Sequence, residues 1–403
     1  MLRRTAVLIA LVLAGCATVP APADAPVAVA GVAFDRAGER GSFADGLADP
    51  ASGRRLTIDD PVRFASVSKL LVAIGAMRLV ERRRLDLDAD VSDMLRISVE
   101  PPGRPSPPVT LRMLLSHTSG LRDHDDQYAI PLGERLADVL RDPRSWDRAH
   151  PPGSGTFAYS NLNFVVIGSL IERATGERFD RWMRREVLEP LKLDACFNWP
   201  TCSDRAVARA VVLTQGGKPV RDDLRGRRPD CPVFVREGVS CDLSAWRPGE
   251  NGALFAPQGG LRISARDLAR VGRLLLNDGM LDGGRILTPA SVAELLRPQW
   301  RFDGRNGATE GGFYCRYGLA THQIATAVRG CNDDPAGDGV SRVGHAGEAY
   351  GLRSGLWIDR ERGTGVAYFA TGLPDDASPG RSAFRAAEES AFRRTLQLLE
   401  LKR

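Results

Sequence analysis

Ser66 and Lys69 place a hydroxyl and an amine three residues apart, in a segment whose apolar residues recur at helical spacing. Residues three apart lie on one face of a helix, so the spacing predicts that these two side chains meet while Ser68 points elsewhere. A serine hydroxyl is a weak nucleophile until a base takes its proton, and lysine can be that base once burial lowers its pKa. Taken alone, a serine three residues before a lysine is usually a helix N-cap beside a solvated charge.

Tyr159 and Asn161 form a second candidate pair. In an extended segment, residues two apart face the same side, so a phenol and an amide would project together. Tyrosine can shuttle protons, and asparagine can orient Lys69 or hold a substrate carbonyl. The glycines and serine at 153–155 fit an ordinary turn just as well, and that alternative stays open at this point.

A third candidate is the run Gly344, His345, Ala346 and Gly347, placed just before two predicted terminal strands. A strand edge beside a nucleophile can bind an extended acyl group, and Gly347 removes a side chain where a substrate would approach. His345 can donate to the substrate or polarise the leaving group. The alternative is a surface histidine in a glycine-rich turn.

Other polar clusters favour structural or solvated roles. His117 precedes small residues typical of a helix-ending turn, which predicts a structural histidine. The acidic run 123–126 predicts a solvated loop rather than a metal site. The run 332–338 lacks the closing glutamate of a calcium loop. We therefore expect no metal and no cofactor.

In order and spacing, these motifs resemble the class C β-lactamase and D-alanyl-D-alanine carboxypeptidase superfamily of serine hydrolases, most closely its β-lactamase-like esterases and peptidases. The resemblance implies an α+β, β-lactamase/transpeptidase-like fold in which Ser66 is acylated and Lys69 with Tyr159 moves its proton. Asn161 would help bind the substrate. The backbone N–H groups of Ser66 and Glu348 would form the oxyanion hole. The matching segments are residues 64–69, 114–121, 159–161, 259–261, 264–269 and 344–347.

His345 departs from the most familiar members of that superfamily. β-Lactamases and transpeptidases of the superfamily generally carry lysine there, in a K-T-G motif that binds a substrate carboxylate. A mostly neutral imidazole holds a carboxylate more weakly. Esterases and some aminopeptidases of the group carry H-x-G, so with His345 and Gly347 at the substrate site we expect hydrolysis of an ester or small amide.

Two other functions remain open. One is a β-lactamase or D,D-carboxypeptidase acting on β-lactams or cell-wall peptides. The other is an envelope lipoprotein that keeps the cleft only for binding. The cysteine-containing stretch 196–241 is long and irregular, and such a loop can wall the cleft and set its specificity.

The elements that must position these residues follow from periodicity and caps. Apolar alternation predicts a hairpin over 28–47 and adjacent strands at 354–358 and 364–371. Helical spacing predicts a helix from about Ser66 to 83, and Ser264 is a candidate N-cap. Further helices are predicted at 86–95, 110–115, 163–174, 264–277, 288–296 and 382–401.

Strands at both chain ends with helices between them predict one antiparallel sheet, built from both termini and flanked by helices. Residues 28–403 would form the hydrolase domain. Within it, 28–83 and 255–403 would make the α/β part, and 84–254 an inserted, mostly helical part.

The first residues are typical of an export signal. The apolar run 6–14 is too short to span a bilayer and follows two arginines. The residues up to Cys16 resemble a bacterial lipobox, which predicts a signal peptide at 1–15, lipidation of Cys16 and a tether at 16–27. Ala17 favours an outer-membrane anchor facing the periplasm. A plain signal peptide with a chance cysteine is the alternative.

Cysteine content and charge agree with export. If Cys16 carries lipid, six of the seven cysteines remain for pairing in an oxidising compartment. The 55 basic residues are interleaved with 50 acidic ones, so no nucleic-acid patch is indicated. We expect a small ester, amide or peptide as substrate and the membrane as the only further partner. Sequence neighbours suggest the pairs Cys196–Cys202, Cys231–Cys241 and Cys315–Cys331.

Overall fold

The computed structural model describes residues 25–220 and 223–400, and its largest element is a nine-stranded antiparallel sheet. From edge to edge the strand order is β11-β12-β13-β14-β15-β16-β1-β2-β3. The strands of the described ranges are β1 (Ala28–Asp35), β2 (Glu39–Asp49), β3 (Arg54–Arg55), β4 (Val62–Arg63), β5 (Cys196–Phe197), β6 (Thr214–Gln215), β7 (Lys218–Pro219), β8 (Leu261–Ile263), β9 (Met280–Leu281), β10 (Gly284–Arg285), β11 (Trp300–Arg301), β12 (Arg316–Tyr317), β13 (His322–Ile324), β14 (Arg342–Ala349), β15 (Leu352–Asp359) and β16 (Thr364–Thr371).

The sheet joins the two ends of the chain, as predicted. β1 lies between β16 and β2, with Ala28 opposite Thr371. The described helices are α1 (Ser68–Glu81), α2 (Val91–Leu95), α3 (Leu111–Leu115), α4 (Leu136–Leu140), α5 (Leu162–Thr175), α6 (Phe179–Met183), α7 (Asp204–Arg209), α8 (Ala265–Leu276), α9 (Pro289–Leu296) and α10 (Ala386–Gln397).

Both faces of the sheet are covered by helices. Along β16, Ala367 and Phe369 belong to the main core together with α8, whereas Val366 and Tyr368 belong to a second cluster with Phe392 of α10. Successive side chains of a strand point to opposite faces, so α8 and α10 lie on opposite sides. This explains why the central strands are apolar on both faces rather than alternating.

Helix α1 is buried on nearly all sides and packs against α5. A helix that is apolar all round belongs in a core rather than on a surface. Lys69 is the second residue of α1 and is therefore carried into the interior. The apolar composition of this helix is thus what desolvates its one amine.

A small three-stranded sheet, β4-β8-β5, connects the inserted region to the rest of the molecule. β5 lies in the predicted insert, yet Cys196 pairs with Arg262 of β8. The main hydrophobic cluster is also continuous across both predicted parts. The insert and the α/β part therefore share one core.

The three disulfides predicted from sequence neighbours are confirmed: Cys196–Cys202, Cys231–Cys241 and Cys315–Cys331. A buried ion pair holds the same long segment in place. Arg262 of β8 meets Asp223 at 2.7 Å and lies 3.6 Å above the ring of Trp199. The irregular stretch is therefore stapled covalently and also anchored to the small sheet.

Several predicted helices are shorter than the sequence indicated. The segment beginning at Ser66 opens with a 3₁₀ turn (Ala65–Val67) before α1. The C-terminal helix begins at Ala386 rather than 382, because the Ser382 amide and hydroxyl bind the Glu389 carboxylate and form a turn ahead of it. The helix predicted at 86–95 is confined to Val91–Leu95, after an Asp90 cap. The predicted N-cap Ser264 is confirmed, and the helix predicted at 288–296 begins at Pro289 with Thr288 as its N-cap.

Candidate active site

Ser66 lies in the 3₁₀ turn that leads into α1. It is the one partly exposed residue in the buried run 61–70, so its hydroxyl is reachable from outside. The preceding Ala65 has a φ of 48°, a left-handed conformation that costs a residue with a Cβ about 1–3 kcal/mol. Such strain is typical of a backbone that must present one side chain at a sharp turn.

The amine of Lys69 is buried against three oxygen atoms. Its Nζ lies 2.9 Å from Ser66 Oγ, 2.8 Å from Asn161 Oδ1 and 2.8 Å from the Gln258 carbonyl oxygen. Burial lowers the pKa of Lys69 to about 7, and the charge of Asp123 opposes that shift. A neutral amine here can donate to Asn161 and Gln258 and still offer its lone pair to the Ser66 hydroxyl.

Asn161 is held in one orientation by Asp123. The Asp123 carboxylate accepts hydrogen bonds from Asn161 Nδ2 at 2.9 Å and from Asn161 N at 2.8 Å. It also accepts hydrogen bonds from Ser160 Oγ and Leu162 N. These bonds cap the start of α5 and turn the amide oxygen of Asn161 toward Lys69. The prediction of a solvated loop was wrong for Asp123, since its partners lie 37–39 residues away in the chain.

The ring of Tyr159 is enclosed by aromatic neighbours. It stacks on His117 at 4.3 Å and on Tyr314 at 4.9 Å between ring centroids, and Lys69 Nζ lies 5.0 Å from its centre. Burial raises the pKa of Tyr159 above its ordinary value, while hydrogen bonds with Ser66 and Tyr314 act in the opposite direction. The phenol is therefore neutral near pH 7.

The extended conformation predicted for 159–161 ends one residue early. Asn161 has helical dihedral angles and directly precedes α5. Tyr159 and Asn161 still reach the same site, because α5 packs against α1 and Asn161 faces Lys69 across that contact. Their convergence is thus a property of helix packing rather than of strand alternation.

His117 has the structural role expected of it. Its Nδ1 accepts Ser160 N at 3.1 Å and Asn163 Nδ2 at 3.0 Å, so the proton of this neutral ring is on Nε2. Burial lowers its pKa well below the ordinary value. The neutral imidazole therefore stacks on the ring of Tyr159 and adds no positive charge to the site.

His345 is buried on β14, and both of its ring nitrogens have partners within the protein. Nε2 lies 2.8 Å from the Tyr317 hydroxyl, and Nδ1 lies 2.5 Å from the Ala346 carbonyl oxygen. Burial and the nearby Lys69 lower the pKa of His345 to about 3. This differs from the expectation that His345 donates to a substrate, because the ring is neutral and its nitrogens are already engaged.

β14 runs against the turn that carries Ser66. A Cβ at Gly347 would lie 2.4 Å from the Phe64 carbonyl oxygen, 2.5 Å from Ser354 Oγ and 3.3 Å from Ser66 N. Only glycine permits this approach. Glu348 follows and lines the same cleft as Ser66, with its carboxylate 2.6 Å from Arg353. The backbone N–H of Ser66 therefore lies beside the end of β14, which carries the second predicted oxyanion donor, the N–H of Glu348.

A cleft of about 610 Å³ opens beside Ser66. Residues of the stapled stretch 196–241 make up a large part of its walls, as the sequence led us to expect. Gln258, whose carbonyl holds Lys69, also lines it, and no sequence motif marked that residue. Within the described ranges, no group of three or more His, Cys, Asp or Glu side chains is placed to hold a metal ion.

A large antiparallel sheet, with a buried lysine beside a reachable serine and a tyrosine close to both, is typical of the β-lactamase-like class. The chain matches the family model described as Beta-lactamase over residues 23–390, and it belongs to that family.

Curated relatives and solved structures agree with the family assignment. The chain is 31% identical to Esterase EstB of Burkholderia gladioli over 64% of its own length and 69% of the esterase. It is 28% identical to Penicillin-binding protein 4 of Amycolatopsis lactamdurans, over 65% of this chain and 63% of that protein. The fold is similar to a class C β-lactamase from Rhodobacter sphaeroides, with a TM-score of 0.64, 19% identity, and coverage of 93% and 95% of the two chains.

Proposed function

We propose that the protein is a serine hydrolase that cleaves a small ester or amide through an acyl-enzyme on Ser66. The observation that carries the proposal is the buried Lys69 amine, 2.9 Å from Ser66 Oγ and held by Asn161 and Gln258. A structural lysine would be expected to reach water with its amine. Here the amine is desolvated beside a hydroxyl that faces a cleft.

Lys69 is the better candidate for the base. With a pKa of about 7, a large fraction of Lys69 is neutral near pH 7. The pKa of Tyr159 is raised, so its phenolate is scarce at that pH. Tyr159 is then suited to relay a proton between Ser66, with which it is hydrogen bonded, and the leaving group.

The proposed reaction has two balanced steps. Lys69 takes the Ser66 proton as Oγ bonds to the substrate carbonyl carbon, and the oxyanion is stabilised by the N–H groups of Ser66 and Glu348. The carbonyl-to-leaving-group bond breaks as the proton passes through Tyr159 to the leaving group. Water then attacks the acyl-enzyme, its proton returns by the same groups, and the acid is released with Ser66 restored.

The surroundings of β14 favour esters or small amides over β-lactams and cell-wall peptides. Where related β-lactamases carry a lysine for the substrate carboxylate, His345 is neutral and already hydrogen bonded. The adjacent Ala346 supplies no hydroxyl, and the Glu348 carboxylate lines the cleft. The similarity to an esterase over more than two thirds of that enzyme supports the same choice.

The test combines labelling with turnover. Mass spectrometry after treatment with a fluorophosphonate should locate the probe on Ser66, with Ser66→Ala as the unlabelled control. A p-nitrophenyl ester should be hydrolysed much faster than nitrocefin. Efficient nitrocefin turnover would favour the β-lactamase alternative, and a folded protein with unlabelled Ser66 would favour a non-catalytic binding protein.

We further propose that the enzyme is exported and lipid-anchored through Cys16, at the outer membrane facing the periplasm. Cys16 and the predicted signal peptide at 1–15 lie outside the described residues. Three disulfides among the described cysteines support an oxidising compartment. Within the described part of the chain, no helix has the length and apolar character to cross a membrane. Cys16→Ala should move the protein from the membrane fraction to the soluble fraction.

A further inference from the structure

One side of the cleft is mostly apolar and is made from three segments far apart in the chain. The exposed Asp126, whose carboxylate accepts a hydrogen bond from the Tyr128 hydroxyl, also lines it. Hydrogen bonds hold these segments together: Leu132 N donates to Phe234 O at 2.9 Å, and the side-chain amide of Asn198 lies 3.3 Å from both Pro232 O and Leu254 O. We call this surface the apolar wall, and its side chains are Tyr128, Ile130, Val233, Phe234 and Leu254.

The apolar wall is rigidly supported but incompletely covered. The Cys231–Cys241 disulfide closes the loop that carries Val233 and Phe234. Val233 is buried, whereas Phe234 is 48% exposed at the mouth of the cleft. Tyr350, 42% exposed, also lines the cleft. A preorganised apolar surface that ends in exposed aromatic rings is suited to an apolar ligand group.

The other side of the cleft is polar. A Cβ at Gly351 would lie 2.9 Å from the Thr214 carbonyl oxygen, which places the hairpin β6–β7 beside the end of β14. Gln215, Lys218 and Glu348 line the cleft from these elements. The apolar wall therefore faces a polar side of the cleft that water can occupy. A substrate in this cleft needs an apolar group only where it contacts the apolar wall.

The position of Tyr159 indicates which part of the substrate enters the cleft. The leaving group must lie near the group that protonates it, and Tyr159 is enclosed by His117 and Tyr314. Tyr159 is not among the described residues that line the cleft, whereas Ser66 is. The cleft thus extends from Ser66 away from the leaving group, on the side of the acyl chain.

We propose that the cleft is an acyl-group pocket selective for bulky apolar acyl groups, aryl or branched alkyl, and that the loop between Cys231 and Cys241 determines this selectivity. The proposal rests on the Ser66 acyl-enzyme proposed above and names the substrate class of that site. The cleft volume of about 610 Å³ is far larger than an acetyl group requires.

The test uses p-nitrophenyl esters, which share one leaving group and differ only in the acyl chain. The wild-type protein should hydrolyse the phenylacetate with a kcat/KM about tenfold or more above that for the acetate. Phe234→Asp should lower the phenylacetate-to-acetate ratio about tenfold, because it places a charge on the apolar wall. A flat acyl-chain profile in the wild-type protein would overturn the pocket.

Val239→Asp is the matched control. Val239 is 49% exposed on the same disulfide-closed loop but is not among the residues that line the cleft. Its ratio should equal that of the wild-type protein, and an equal drop in both variants would overturn the role of the apolar wall. Fluorophosphonate labelling separates the two proposals. Labelled Ser66 with no acyl preference contradicts the pocket alone, and unlabelled Ser66 contradicts both.

Discussion

The proposed role of Lys69 as a base depends on the surrounding atoms, because they set the pKa of its amine. Burial disfavours the ammonium, and the Asp123 charge partly restores it. Asn161 and Gln258 accept two N–H bonds from the amine in either charge state. The residue that changes its role with protonation is Ser66, which accepts from the ammonium and donates to the neutral amine.

The pH dependence of turnover follows from that balance. A base must be unprotonated, so kcat/KM for p-nitrophenyl acetate should rise with pH through about 7 and level off above it. Asp123→Asn removes the charge that raises the pKa of Lys69, so the midpoint should move to lower pH. A pH–rate profile of both proteins tests this, and a midpoint displaced to higher pH would contradict the assignment.

Replacing Lys69 by arginine tests whether the amine is a base or only a charge. Arginine keeps the positive charge but cannot lose its proton. Lys69→Arg should lose about 10²–10⁴-fold in kcat, the usual contribution of a general base, and approach the loss in Ser66→Ala. Lys192→Arg, an exposed lysine, is the control and should turn over normally. Near-normal kcat in Lys69→Arg would remove the proposed role.

At the scale of elements, the site is the meeting point of α1, α5 and β14. Each contributes one group near its end: the turn before α1 presents Ser66, the residue before α5 is Asn161, and the last residues of β14 bring Gly347 beside Phe64 O.

Gly347→Ala should move the proposed oxyanion donor on β14, the N–H of Glu348, away from Ser66. The new Cβ would overlap Phe64 O and Ser354 Oγ, so β14 must move away from the Ser66 turn. We expect kcat to fall about 10²–10³-fold, as for loss of an oxyanion-hole donor. Steady-state kinetics beside thermal unfolding will show whether the protein still folds. Gly38→Ala, where a Cβ meets nothing within 4 Å, should match the wild-type protein.

At the scale of the whole molecule, the insert and the α/β part are held together by buried charge as well as by the shared core. Asp223 and Arg262 are each only 1% exposed and meet at 2.7 Å. Arg262 lies in β8, four residues after Gln258, whose carbonyl binds Lys69. The ion pair that anchors the stretch 196–241 is therefore close in sequence to a group that holds the Lys69 amine.

Breaking that pair should loosen the whole stapled segment. Arg262→Ala leaves Asp223 buried without its ion-pair partner and should lower the free energy of unfolding by about 3–5 kcal/mol. The double variant Asp223→Leu with Arg262→Met should lose less, because no buried charge remains. Urea unfolding of the three proteins measures this. A double variant less stable than Arg262→Ala would contradict the account.

Features that depend on neighbours in the chain could be predicted from the sequence. The Ser66–Lys69 contact, the cap at Ser264, the terminal strands and the three short-range disulfides all join residues that are close in the chain. Period and spacing determine such contacts locally. The family resemblance added the expectation that Tyr159 and Asn161 join them.

Only the tertiary structure decided what the site can do with those residues. Four features join segments distant in the chain: the Gln258 carbonyl beside Lys69, the hydrogen bonds from Asn161 to Asp123, the contact of His345 with the Tyr317 hydroxyl, and the apolar wall. Burial sets the pKa of Lys69, and burial is created by packing α1 among all of its neighbours at once. Desolvation depends on the complete fold, so spacing in the sequence carries no measure of it.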